Sequence, residues 1–284
     1  MDILNTTKDG YKRWEDKKLN NFISQPDKMM VEIAEAESLK KSEKTKIKNL
    51  LDQQNIVFYE FKSMKGTTPS ALLSLSKQLG LEDFDYNPKS DKTGLTPITV
   101  QNNLNTDDEY VPYTTKPLNW HTDGYYNHLD ESIHSWLLHC DEPAKQGGKN
   151  TFLDHEIAYI LFNQQNKNIS SLMNNIAYTI PENKKTGRKS VDGYVFSFEN
   201  KYKKLHMRFT MRENNIHWNE NAVNEVNMLK EIIKKSERYH VKYKLDYRQG
   251  VITNNILHKR SSFTNLDNQT RLIYRIRSKK RVVF

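Results

Sequence analysis

A chain of 284 residues with 36% hydrophobic, 28% charged and 11% aromatic residues carries enough apolar mass for a core and enough charge for a solvated surface, which argues against a disordered chain. Lys and Arg number 44 against 35 Asp and Glu, a net +9 that favours anionic partners but is spread along the sequence, as at Lys40, Lys41, Lys44, Lys46, Lys48, Lys201, Lys203 and Lys204, like ordinary surface solvation. One cysteine, Cys140, excludes an intrachain disulfide; with neither an export leader nor an apolar run of about 18 residues, a cytoplasmic protein with no membrane partner is expected.

In chain order, residues 1 to about 26 are polar without a clear period and read as a peripheral leader, with Pro26 placed to open a helix. DKMMVEIAEAESL (27–39) suits that helix, and Ser42 can cap a second one through Ile47, Leu50 and Leu51 toward Gln53. The period then changes: NIVFYEF (55–61), rich in β-branched and aromatic residues, reads as a strand. Thr68-Pro69-Ser70 begins a helix through Leu72, Leu73, Leu75 and Leu79, which Gly80 stops.

After about residue 95 strands dominate: LTPITVQ (95–101), IHSWLLHC (133–140), IAYTI (176–180), GYVFSFE (193–199), LHMRFTM (205–211), VKYKLDY (241–247), VITNNILH (251–258) and RLIYRIR (271–277). Helical inserts near 154–165 and 221–237 interrupt them. With no internal repeat and no Pro/Gly/Ser linker, residues 1–40 are expected to be a polar leader and helix packing on the core, and 41–284 one domain. The fold class expected is mainly β with helices (α+β), a double-stranded β-helix (jelly roll, cupin-like) core flanked by helices.

Chemistry concentrates in PLNWHTDGYYN. His121 and Asp123 are two residues apart, so in extended backbone both side chains share one side and can share one ion. Asp123-Gly124 is also turn chemistry in its own right. Imidazole plus carboxylate suits a divalent metal, and one further His completes the facial triad of non-haem Fe(II) oxygenases. His258, at the end of VITNNILH, is the candidate, and Arg271 and Arg275 follow in the last strand, where a guanidinium fork can hold a carboxylate. A keto acid would chelate such a metal through its 2-oxo and C1 carboxylate oxygens, place its distal carboxylate on arginine and leave one position for O2.

Other groupings have plainer explanations. His139-Cys140-Asp141 ends a strand, and Asp154-His155-Glu156 begins a helix that Asp154 can cap. His128, His134, His206, His217 and His240 have no partner spacing and read as core or surface histidines. In LHMRFTMRE, His206, Arg208, Thr210 and Arg212 share one strand face, ordinarily a solvated one; turned inward, it would let Arg208 or Arg212 receive an anionic substrate. Trp120, Tyr125 and Tyr126 flank the ligands as pocket wall or packing, and Asn255 suits a buried amide bracing the metal strand.

WHTDGYY, PAKQGGKNTFLD, NNILHKRSSF and RLIYRIR, in that order over residues 120–277, resemble the taurine dioxygenase-like (TauD/TfdA) family of Fe(II)/2-oxoglutarate dioxygenases, and the helix-strand-helix entry near 41–80 is similar to the family's start. The resemblance implies His121, Asp123 and His258 as iron ligands, Arg271 on the distal carboxylate of 2-oxoglutarate, and Thr151 as its helper, although Lys149 and Asn150 loosen the match at Gly147-Gly148. Arg275 resembles an arginine that in some members contacts an acidic substrate or supports the co-substrate. It further implies hydroxylation of a small acidic or zwitterionic molecule with release of succinate and CO2, and Asp123 filling the carboxylate slot argues against halogenation. The alternatives are the same chemistry on nucleic acid or protein, with nucleic acid the less expected, and a non-catalytic basic binding protein; a homo-oligomer stays open.

Overall fold

The computed structural model of the chain describes residues 7–86, 89–101, 108–165, 168–184, 187–199, 203–266 and 268–283; the first six residues of the expected leader and Lys201 lie outside them. The rest of that leader is not irregular. Thr7 caps helix α1 (Lys8–Asn20) by accepting from the Gly10 amide at 3.2 Å, and Tyr11, Trp14 and Leu19 pack inward. A partly charged inward face masks its period: Lys18 is buried against Asp154 (2.6 Å) and Glu156 (2.5 Å).

Residues 27–39 were expected as a helix and form a 3-10 turn (Pro26–Met29) followed by strand β1 (Met30–Ile33). Met29, Val31 and Ile33 are buried around exposed Glu32, a period of two that suits a strand and not a helix. Ser42 does not cap the next helix. α2 (Lys41–Gln54) starts one residue earlier, and the Glu43 carboxylate reaches back to the amides of Lys40 (2.7 Å) and Ala34 (2.9 Å). Strand β2 (Ile56–Phe61) and α3 (Thr68–Gln78) fall where the sequence placed them.

The remaining elements are β3 (Leu95–Ile98), β4 (Leu118–His121), β5 (Ser135–Glu142), β6 (Gln146–Gly147), β7 (Asn150–Leu153), α4 (His155–Gln165), α5 (Ser170–Met173), β8 (Tyr178–Ile180), β9 (Val191–Gly193), β10 (Phe196–Glu199), β11 (Lys204–Met207), β12 (His217–Trp218), α6 (Val223–Lys235), β13 (Val241–Tyr243), β14 (Gln249–Thr253), β15 (Leu257–Arg260), β16 (Phe263–Thr264) and β17 (Leu272–Ser278). Two expected strands are each broken in two. GYVFSFE straddles β9 and β10, and VITNNILH splits at Asn254-Asn255, where Asn255 takes a left-handed φ of 54° that no regular strand tolerates.

The sheets position the site. A six-stranded sheet runs β1-β2-β14-β5-β17-β3 and a four-stranded one β13-β7-β15-β4, with smaller sheets of β12-β8-β9, β10-β11 and β16-β6. The two larger sheets face each other, since Phe152 of β7 packs on Phe58 of β2 (ring centroids 5.7 Å) and Trp136 of β5 (6.3 Å). This is the expected α+β architecture built as a sandwich, with the strands in separate sheets and no closed barrel among the described residues. A second apolar cluster joins α4 and α6 to β8–β11, drawing Val226, Leu229, Ile232 and Ile233 from α6. No helix among the described residues is long and apolar enough to cross a membrane.

Candidate active site

β4 and β15 lie side by side, antiparallel, with His121 directly opposite His258. Their ring centroids are 4.2 Å apart, as a cross-strand pair requires. Asp123 follows two residues after His121, just past the end of β4, and its Oδ1 lies 3.7 Å from His121 Nε2 and 3.8 Å from His258 Nε2. One ligand atom from each of the three thus falls within 4.8 Å of the other two. Gly124 lets the chain turn away at once: its φ is +67°, and a Cβ there would stand 2.4 Å from Ile133 Cγ1.

Each imidazole is oriented by its far nitrogen. Nδ1 of His121 pairs with the Asn119 carbonyl at 2.8 Å and Nδ1 of His258 with the Ile256 carbonyl at 3.2 Å. Those nitrogens must carry the protons, so both Nε2 lone pairs face the same point. Burial, reinforced by the neighbouring His121, pulls His258 down to about 3, and burial also lowers His121, so both rings stay neutral. Burial would push the Asp123 carboxyl up, but Arg275 and then Arg277 outweigh it and hold it well below the usual carboxylate range; Arg275 Nη1 lies 3.2 Å from Asp123 Oδ2. Two neutral imidazoles and a carboxylate make a donor set suited to Fe(II), and the group fits.

Asn255, inferred as a brace, clamps the aspartate's backbone. Its Oδ1 accepts from the Asp123 amide (2.8 Å), and its Nδ2 donates to the carbonyls of Asp123 (2.9 Å) and Ile133 (2.6 Å). Trp136 packs against His258 with centroids 4.6 Å apart and ring planes tilted by 52°, a wall that no spacing or motif in the sequence marks. Trp120 is buried packing: its ring meets His240 at 5.0 Å and Lys259 at 4.9 Å.

An inner recess of about 40 Å³ lies beside His121, Asp123 and His258, bounded among others by Asn150, Arg260, Arg271 and Arg275. Arg271 is buried, held to about 10 by that burial, and faces the Phe263 ring at 4.9 Å. Arg260 covers the same ring at 4.8 Å but spends its guanidinium on the carbonyls of Pro112, Thr114 and Lys116. Thr151 is not brought here. β7 registers Asn150 on Arg260 and Phe152 on His258, so alternation turns Thr151 to the other face, between Lys242 and Lys259, and Asn150 takes the place at the recess.

A larger cavity of about 720 Å³ opens from His121, Asp123 and Arg275 and is lined by Tyr125, Tyr126, Arg188, Lys189 and Arg212. Arg208 lines neither space. It is buried and donates to the carbonyls of Tyr125 (3.0 Å) and Asn127, so it holds the cavity's loop instead of facing a substrate. The polar face of residues 206–210 is accordingly buried and not solvated. His139 is no ligand either, being stacked on Tyr59 and bonded to its hydroxyl at 3.1 Å, and Asp154 does cap α4 through the Glu156 amide at 2.9 Å.

Residues 15–277 match the family described as taurine catabolism dioxygenase TauD, TfdA family. Solved structures share the fold. An asparagine oxygenase in complex with Fe(II), 2S,3S-3-hydroxyasparagine and succinate is 10% identical, with a TM-score of 0.62 over 84% of this chain and 80% of that one. AAD-2 in complex with Mn(II) and N-oxalylglycine is 12% identical, with a TM-score of 0.63 over 89% and 95%. A putative alpha-ketoglutarate-dependent taurine dioxygenase from Burkholderia xenovorans is 12% identical, with a TM-score of 0.62 over 88% of each chain. A search of curated proteins finds no match.

Proposed function

The chain belongs to the TauD/TfdA family of Fe(II)- and 2-oxoglutarate-dependent dioxygenases, and from that premise we propose that it hydroxylates an unactivated C–H bond of a small acidic or zwitterionic molecule, releasing succinate and CO2. The observation that carries this reading is the meeting of His121, Asp123 and His258 across β4 and β15 beside a buried arginine. Fe(II) with bound 2-oxoglutarate and O2 supplies the oxidising chemistry. The protein's residues orient and shield it.

In this reading Nε2 of His121, Asp123 and Nε2 of His258 hold the metal, Arg271 takes the distal carboxylate, and Asn150 faces that diacid where Thr151 was expected. The recess admits only a few waters, so loading the diacid requires side chains of its wall to turn outward. Arg275 keeps Asp123 ionised and set at a fixed angle through Oδ2 while Oδ1 faces the two imidazoles. Arg188, Lys189 and Arg212 line the large cavity together with Tyr125 and Tyr126, Arg188 lying 5.7 Å over the Tyr126 ring, a cationic lining that suits the carboxylate of an amino acid or a similar anion. Asparagine, the substrate named for one relative, is of that zwitterionic class. We place the reaction in the cytoplasm, where the lone thiol of Cys140 stays reduced.

Anaerobic titration with Fe(II) and 2-oxoglutarate tests the assignment by the visible metal-to-ligand charge-transfer band. The band is expected in the wild type and lost in His121→Ala and Asp123→Ala. Full iron binding by both variants would overturn it.

A further inference from the structure

Away from β4 and β15, three residues that no spacing linked converge: His134 just before β5, Glu199 at the end of β10 and His206 on β11. One ligand atom from each lies within 4.8 Å of the other two. In the β10–β11 hairpin Ser197 registers opposite His206, so alternation puts Glu199 and His206 on one face, and the His134 ring comes within 4.8 Å of His206, centroid to centroid. We propose that His134, Glu199 and His206 form a second divalent-cation site of zinc type, distinct from the iron triad.

A plain ion pair explains only part of this arrangement. His134 Nδ1 and Glu199 Oε1 are 2.8 Å apart, which would satisfy those two. His206 is 1% exposed, yet neither of its ring nitrogens has a hydrogen-bond partner. A neutral imidazole carries one N–H donor and one lone-pair acceptor, and native interiors rarely leave both nitrogens bare. A cation bound at one nitrogen turns that bare lone pair into a bond. Burial also keeps this ring neutral, the form that ligates.

The surroundings select among ions. Two imidazoles and one carboxylate, with a fourth position left to water, are the donor set of borderline ions such as Zn²⁺ and not of Mg²⁺ or Ca²⁺, which prefer oxygen. Arg281 faces the same carboxylate, its Nε 3.6 Å from Glu199 Oε2, while its Nη2 donates to the Leu205 carbonyl at 2.7 Å. Its charge weakens cation binding, while it faces Oε2 and leaves Oε1 toward His134, 2.8 Å away. The side chains of His134 and Glu199 are each 14% exposed, so an ion reaches buried His206 from their side. Once bound, it ties the β10–β11 hairpin to the start of β5.

Metal-stripped, full-length protein titrated anaerobically with Co²⁺ alone, followed by its visible absorption, tests the site. The wild type is expected to take up about two equivalents, and His121→Ala about one. His206→Ala and the isosteric Glu199→Gln are each expected to lose the other equivalent while keeping the Fe(II)/2-oxoglutarate band. Zn²⁺ should raise the melting temperature of His121→Ala and not that of His121→Ala combined with Glu199→Gln. A wild type that binds a single equivalent, lost in His121→Ala, would overturn the proposal. So would a second equivalent that survives in Glu199→Gln, whose native circular dichroism guards against a folding artefact.

Discussion

Asn255 shows how much of the site one amide can set. Its left-handed backbone ends the run from β14, and its side chain fixes Asp123 through both amide and carbonyl. Asn255→Ala is therefore expected to weaken Fe(II) binding by about 10–100-fold with His121, Asp123 and His258 untouched, measured by anaerobic titration; unchanged affinity would make the clamp irrelevant to the metal. Arg271→Gln should leave iron binding intact and raise the KM for 2-oxoglutarate by about 30-fold, the effect of removing roughly 2 kcal/mol of a buried charge pair, and equal KM values would move the carboxylate elsewhere. The HxD pair and the later His were legible because a metal needs particular donor atoms. Thr151, Arg208 and the His134–Glu199–His206 group were not, because which face a strand turns inward depends on its partner's register, which the sequence does not display.

At the scale of elements, segments with a clear apolar period are legible in the sequence: β2, α3 and β17 lie where periodicity puts them. Misreadings fell where polar groups face inward or the period is short. α1 presents buried Lys18 to Asp154 and Glu156, and Asn55, just past α2, donates to the same Asp154 at 3.1 Å, a polar joint no hydrophobic count reveals. The Lys18→Ala variant strands two buried carboxylates and should cost about 3–5 kcal/mol of stability in urea unfolding. A loss below about 1 kcal/mol would show that water already reaches them. β1 is hidden in the sequence because its four residues are too few for a period of two to outweigh the helix-favouring Glu and Ala after it.

Burial holds His121, His139, His155, His206, His240 and His258 below the ordinary imidazole range, and that makes the molecule acid-sensitive. Burial depresses His139 from an ordinary 6.5 to about 3. Above 6.5 neither the folded nor the unfolded form holds the proton. As pH falls below 6.5 the unfolded chain takes it up and the folded one does not, so stability drops until about pH 3, by up to ~1.4 kcal/mol per pH unit for this one residue. Urea melts at pH 7 and pH 5 should show stability falling with pH, and His139→Gln should lessen the slope by up to ~1.4 kcal/mol per pH unit; an unchanged slope would place the sensitivity in other groups.

The two main sheets divide the labour of the proposed site between them. His121 and His258 belong to the four-stranded sheet, whereas Arg275 lies on β17 of the six-stranded one and Arg271 immediately precedes it. A diacid gripped at both ends would act as a bolt through the sandwich, fastening one layer to the other. Oxidative decarboxylation would replace the chelating 2-oxo acid end by a single carboxylate, so succinate would grip the metal-side layer more weakly than the keto acid does, and each turnover would itself loosen the layers and ease the spent fragment out. Amide hydrogens along β15 and β17 would then exchange more slowly with the keto acid bound than with succinate.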